Sequence, residues 1–122
     1  MKAFESKKAI NLILFGNNKS LVYLINRYAE EFGYELFTLD MTSSINEITR
    51  IEPSAIIFSS ISQLENAQQL IEILYNYDIP ILVCTSLVDK IKAVKLGADM
   101  CLVHPLTPDN FQKTISMMCY RE

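Results

Sequence analysis

The residues of this 122-residue chain that are capable of chemistry are few and lie at the ends of apolar runs. Gly16-Asn17-Asn18-Lys19-Ser20 follows a run ending at Phe15, Ser59-Ser60 follows Ala55-Ile-Ile-Phe58, Thr85-Ser86 follows Ile81-Leu-Val-Cys84, and the single histidine, His104, stands between Val103 and Pro105. A serine and a histidine suggest nucleophile and base, with Ser59 attacking, His104 taking its proton, and Asn17 or Thr85 orienting the ring. No Gly-x-Ser-x-Gly elbow surrounds Ser59, however, and no acid is placed to orient His104. Two small polar residues filling space are the simpler reading. The segment from Gly16 to Ser20 has one glycine, so it is neither a dinucleotide fingerprint nor a P-loop, although it ends in Lys-Ser. An anion resting on a helix start is the most it offers. Asp40 occupies the place of a ribose-binding acid but lacks the accompanying glycines. A metal site is disfavoured by the single histidine and by Cys84, Cys101 and Cys119, which are paired at no ligand spacing.

The elements that position these residues are legible from periodicity. Apolar runs at 10–15, 34–39, 55–58, 79–84 and 100–103 have the length of strands. Three of them are continuously apolar rather than alternating, as required of strands covered on both faces, which predicts a parallel sheet. Between them, Leu21, Leu24, Ile25, Tyr28 and Phe32 repeat with helical spacing, and Gly33 supplies a left-handed stop. A second helix is predicted over 43–51, capped by Ser43 or Ser44 and stopped before Pro53. A third is predicted over 62–77, a fourth over 87–96 closed by Gly97, and a fifth starts at Thr107-Pro108-Asp109 with Thr107 as N-cap. Strict strand–helix alternation implies an α/β fold, a three-layer αβα sandwich with a five-stranded parallel sheet in the flavodoxin-like order 2-1-3-4-5. The functional crevice of such a sheet lies at the carboxyl ends of its strands, which directs attention back to the residues above.

Composition narrows the function. The 11 basic and 14 acidic residues give a net charge of −3, with no basic run beyond Lys7-Lys8, so neither nucleic acid nor an anionic membrane is an expected partner. An odd number of widely spaced cysteines in apolar surroundings reads as reduced thiols in a cytoplasmic protein. Neither a signal peptide nor a membrane-spanning run is expected. The chain reads as a single domain over 1–122 with its core at about 9–120.

On these residues the chain resembles the receiver domain of response regulators, the phosphoacceptor module of two-component signalling. The resemblance rests on Ile13-Leu-Phe15 followed by Gly-Asn-Asn-Lys-Ser, a helix and Gly33-Tyr34-Glu35, and on Ile79-Pro80 to Thr85-Ser86. It rests also on Lys92-Ala-Val-Lys-Leu-Gly-Ala-Asp99 and Cys101-Leu-Val-His104-Pro105. It implies that Gly16 and Asn17 stand at the family's acidic pair, Ser59 at its phosphoacceptor aspartate (Ser60 if the register slips by one), Thr85 at its hydroxyl and His104 at its lysine. A cis bond before Pro105 belongs to the same resemblance.

The positions that carry carboxylates in the family carry none here. Magnesium needs anionic oxygens and dehydrates reluctantly, so its binding is expected to be lost and no cofactor is expected. An acyl phosphate cannot form on a hydroxyl. The reading is a non-enzymatic pseudo-receiver, a phosphorylation-independent protein interaction module in signal transduction or a phosphorelay. A small-ligand, anion-binding or hydrolytic domain using Ser59 and His104 is the alternative. A lysine without carboxylates would be an unpaired charge, so His104 is expected as a neutral, hydrogen-bonded plug of a vestigial pocket. The resemblance implies that a protein partner, or a second copy, docks on the surface of the fourth helix, fifth strand and fifth helix. That surface includes Lys90, Lys92, Lys95, Cys101, Gln112, Lys113 and Tyr120. Cys101 replaces the aromatic that acts as a rotamer switch in the family.

Overall fold

The computed structural model describes residues 10–16 and 18–119, so Asn17 and Tyr120 lie outside the described residues. The apolar runs form β1 (Asn11–Phe15), β2 (Glu35–Leu39), β3 (Ala55–Phe58), β4 (Ile81–Thr85) and β5 (Met100–Val103). They make one parallel sheet in the expected order, β2-β1-β3-β4-β5. Every residue of β3 and β4 is buried, because helices cover both faces of the central strands.

The helices are α1 (Lys19–Glu31), α2 (Ile45–Ile51), α3 (Ile61–Asn66), α4 (Gln68–Tyr75), α5 (Lys90–Lys95) and α6 (Pro108–Cys119), with a 3-10 turn (Leu87–Asp89) leading into α5. Alternation of side chains along the strands divides the core in two. Leu12, Leu14, Ile57 and Leu82 pack against Leu21 and Ile25 of α1 and Phe111 and Ile115 of α6. Ile13, Phe15, Ile56, Phe58 and Val83 pack on the other side against Ile48, Leu64, Ile71, Leu74 and Ala93. This is the predicted three-layer sandwich.

Local signals explain most boundaries. Asn18 caps α1 by accepting from Leu21 N at 3.1 Å. Ser44 caps α2 and exchanges bonds with Glu47, so the second helix starts two residues later than 43. Thr107 caps α6 by accepting from Asn110 N at 3.1 Å. Gly33 adopts φ 77° after α1 and Gly97 adopts φ 110° after α5, conformations that side chains resist.

The predicted helix over 62–77 is instead two helices broken at Ala67. Gln68 Nε2 donates to Leu64 O and to Leu96 O, both at 2.9 Å, which satisfies a carbonyl at the break and ties it to the end of α5. The apolar stripe of Leu64, Ala67, Ile71 and Leu74 continues through the break, which is why periodicity does not reveal it.

Asp99 joins the amino ends of the last two strands. Its N–H donates to Ile81 O and its Oδ2 accepts from Ile81 N, both at 2.7 Å. Asp99→Ala leaves the part-buried Ile81 N–H without its acceptor, and the expected loss is about 1–3 kcal/mol in urea unfolding. Asp99→Asn, which keeps an acceptor oxygen, should recover about half of it.

Candidate functional site

The crevice is built where β1 and β3 end together. Phe15 and Phe58 are register partners, and their rings stack with centroids 5.2 Å apart at 17°. The next residues on the two strands, Gly16 and Ser59, turn to the opposite face of the sheet, and Ser59 N donates to Phe15 O at 2.9 Å. The approach is so close that a Cβ on Gly16 would overlap both Oγ and Cβ of Ser59. Glycine is therefore required at position 16 by contact rather than by backbone conformation. Gly16 and Ser59 occupy each other's space, and no acidic side chain fits at 16 while any side chain stays at 59 with this backbone.

Ser59 and Thr85 are the buried polar side chains among the described residues, 7% and 5% exposed. Neither hydroxyl makes a hydrogen bond among the described residues. Ser60 does not compete for the acceptor position: it caps α3, accepting from Gln63 N at 3.2 Å. Among the described residues no three His, Cys, Asp or Glu side chains cluster so as to hold a metal ion. Asp40, just past the end of β2, accepts from the hydroxyl and the amide of Thr42, which hold its carboxyl below the ordinary value in an exposed turn.

His104 corrects the sequence reading. Its backbone N–H continues the sheet pattern by donating to Thr85 O at 3.0 Å, and the bond to Pro105 is cis. His104 is exposed and its ring makes no hydrogen bond among the described residues, so it is not the buried, hydrogen-bonded plug that was expected. An imidazole with no carboxylate opposite it is better solvated by water than buried. A cavity of about 390 Å³ opens at the other end of the sheet, lined by Tyr75, Asp78, Ile79, Pro80, Asp99 and Met118. None of the crevice residues lines it.

The candidate partner surface is present but differs in composition from the sequence reading. Lys90, Lys95, Gln112 and Lys113 are exposed and Cys101 is half-buried. Lys92 turns to Glu65 of α3, Nζ to Oε2 at 3.2 Å, an exposed pair worth at most about 1 kcal/mol. The residues that dominate this face are apolar: Leu87, Val88, Ile91 and Val94 are 69%, 89%, 73% and 56% exposed. The sequence reading missed them because an apolar stripe at helical spacing is ordinarily the buried one. The available signal was Ala93, whose small side chain is the buried residue of α5.

Burial, and to a lesser degree Cys101, pushes the Cys84 thiol up to about 12, and burial also raises Cys101 against the opposing effect of Lys90.

Comparison with known proteins gives a consistent frame. No protein-family model and no curated protein sequence matches the chain. Solved structures do. The receiver domain of a Pseudomonas aeruginosa sensor histidine kinase, which has a magnesium ion coordinated in its active-site cleft, superposes with a TM-score of 0.77 at 16% identity, over 93% of this chain and 100% of that one. A chemotaxis protein of Vibrio cholerae gives a TM-score of 0.73 at 20% identity, over 91% of this chain and 99% of that one. The N-terminal receiver domain of a two-component response regulator from Bacteroides fragilis gives 0.71 at 18%, over 94% and 100%. The chain has the receiver-domain fold.

Two outcomes follow from this geometry. Gly16→Ala should cost about 1–3 kcal/mol by overpacking, and Ser59→Gly in the same chain should return part of it, a coupling of about 1 kcal/mol in a double-mutant cycle of urea midpoints. Additive effects would mean that the two residues do not meet. Cys84 should resist iodoacetamide at pH 8 in the folded chain and react in urea. Because its folded value lies above the ordinary 9.0, its contribution to stability is intact below about pH 9 and falls as pH rises toward 12, and Cys84→Ala should flatten that fall.

Proposed function

We propose that the chain is a receiver-like signalling module that carries out no phosphoryl transfer and acts by binding a protein through the face of α5, β5 and α6. The observation that carries this reading is the Gly16–Ser59 contact. At the place where aspartyl phosphorylation needs a nucleophilic carboxylate and a hard cation, two small residues close on each other and the sequence offers no carboxylate at 16, 17 or 59. A serine hydroxyl without an activating base is a poor nucleophile, and Ser59 has no hydrogen bond to His104. Enzymatic use of the crevice is thereby disfavoured, and so is magnesium as a cofactor. The anion-binding and hydrolytic alternative has no comparable observation in its favour.

Without a phosphoryl group to bias two states, any change of conformation in this module comes from differential affinity of its partner. Support for the partner face is the run of exposed apolar side chains at 87–94 beside β5, the edge strand of the sheet.

The test is incubation of the full chain with acetyl phosphate and magnesium, followed by intact mass measurement. The expected result is an unchanged mass, in the original chain and in Ser59→Ala and His104→Ala alike. An added phosphoryl group lost in Ser59→Ala would overturn the reading and restore a chemical role to the crevice.

A further inference from the structure

The amino ends of β4 and β5 form a firmly tied corner with a cavity beside it. Asp99 holds Ile81 through both its N–H and its Oδ2, and Pro80 O accepts from Ile56 N at 2.9 Å. The approach to β4 is thereby fixed to β5 on one side and to β3 on the other. The cavity of about 390 Å³ lies against this corner, at the end of the sheet opposite Gly16, Ser59 and Thr85. Its volume falls within the roughly 300–1,000 Å³ of small-molecule sites. Ile79, Pro80 and Met118 give it apolar walls, and Tyr75, at the end of α4, gives it an aromatic ring that is otherwise largely exposed. Asp78 and Asp99 give it two carboxylates, and no Lys, Arg or His is among its described lining residues. Asp99 is already engaged by Ile81 N. Asp78 is not: its side chain makes no hydrogen bond or ion pair among the described residues.

We propose that this cavity binds a small organic amine, an ammonium group carried on an apolar body. A neutral apolar molecule would strip water from two carboxylates and return no partner to them. An anion would meet like charge there, in a chain whose net charge is already −3. A divalent metal ion takes on the order of six oxygen ligands, and here two carboxylates stand without a third acidic, histidine or cysteine ligand among the described residues. An ammonium satisfies the whole set. It pairs with Asp78, lies in the field of Asp99 and rests on the Tyr75 ring, while its hydrocarbon body covers Ile79, Pro80 and Met118, whose unbranched thioether adapts to the shape of what it meets. No described residue of the crevice or of the partner face lines this cavity, so the proposal stands or falls apart from the interaction reading above.

The experiment is a titration of the isotopically labelled full chain with tryptamine at neutral pH, followed by amide shifts. Tryptophol and indole-3-acetate, which carry the same ring with a neutral and an anionic head, and calcium chloride are the other arms. Tryptamine should give saturable shifts over residues 75–81, 99–100 and 117–119, with half-saturation below about 1 mM, and leave Gly16, Ser59 and Thr85 unmoved. The alcohol and the acid should bind at least about tenfold more weakly. Asp78→Asn should weaken tryptamine at least about tenfold while keeping the urea midpoint of the parent, because the carboxylate it removes has no partner among the described residues. Tyr75→Ala should weaken it by about threefold or more, also without a change in midpoint. Asp99 is left in place in these variants because its oxygen supports β4. No saturation by tryptamine at millimolar concentration, equal affinity for the amine and the alcohol, or an affinity that Asp78→Asn leaves unchanged would overturn the proposal. Saturation of the same residues by calcium chloride would overturn it as well, by assigning the carboxylates to a metal ion.

Discussion

The closest constraint in the molecule is the meeting of Gly16 and Ser59 at the ends of β1 and β3. The stacked rings of Phe15 and Phe58 hold the two strands in register one residue earlier, and the main-chain bond from Ser59 N to Phe15 O draws the ends together. Interiors packed at crystal density do not stretch to admit extra atoms. A carboxylate at 16 therefore requires the residue at 59 to yield, so what position 16 can hold depends on position 59. What would be a metal-binding crevice in a receiver with acidic residues is here a short stretch of packed backbone and hydroxyls.

With the crevice packed, the distinctive chemistry of the surface moves to α5. The helix is anchored by a small residue, Ala93, and by the Gln68 side chain reaching Leu96 O from the break between α3 and α4. A small inward contact leaves the larger apolar side chains free to face outward, where they cost solubility unless a partner covers them. The same frame supports both features. Parallel strands bring Gly16, Ser59 and Thr85 to one end of the sheet, and the edge position of β5 exposes the flank on which α5 lies.

Much of this was legible in the sequence, for identifiable reasons. Three of the strands are continuous apolar runs that only a doubly covered sheet can use, and strict strand–helix alternation makes the doubly wound order the default, so the ends were readable to within two residues at β4. Caps at Ser44 and Thr107 and the stops at Gly33 and Gly97 are local chemistry, readable wherever the residue itself carries the signal. Four things were not readable. The break at Ala67 preserves the apolar stripe, so periodicity passes over it. The exposed apolar run at 87–94 reads in sequence like a buried one, and only its depth in the fold distinguishes them. His104 was read as a plug by analogy with the lysine it replaces, but the partner that would draw a side chain inward is missing. The contact of Gly16 with Ser59 joins residues 43 positions apart, and no spacing rule within either segment encodes it.

The most direct measurement is a titration of the chain with magnesium and beryllofluoride, monitored by the amide shifts of Gly16, Ser59, Thr85 and His104. A crevice closed by Gly16 and Ser59 and free of carboxylates predicts no saturable response at millimolar concentrations. Saturable shifts centred on those four residues would contradict the account, since they would require an ion and a phosphoryl mimic to be held where positions 16, 17 and 59 offer no carboxylate.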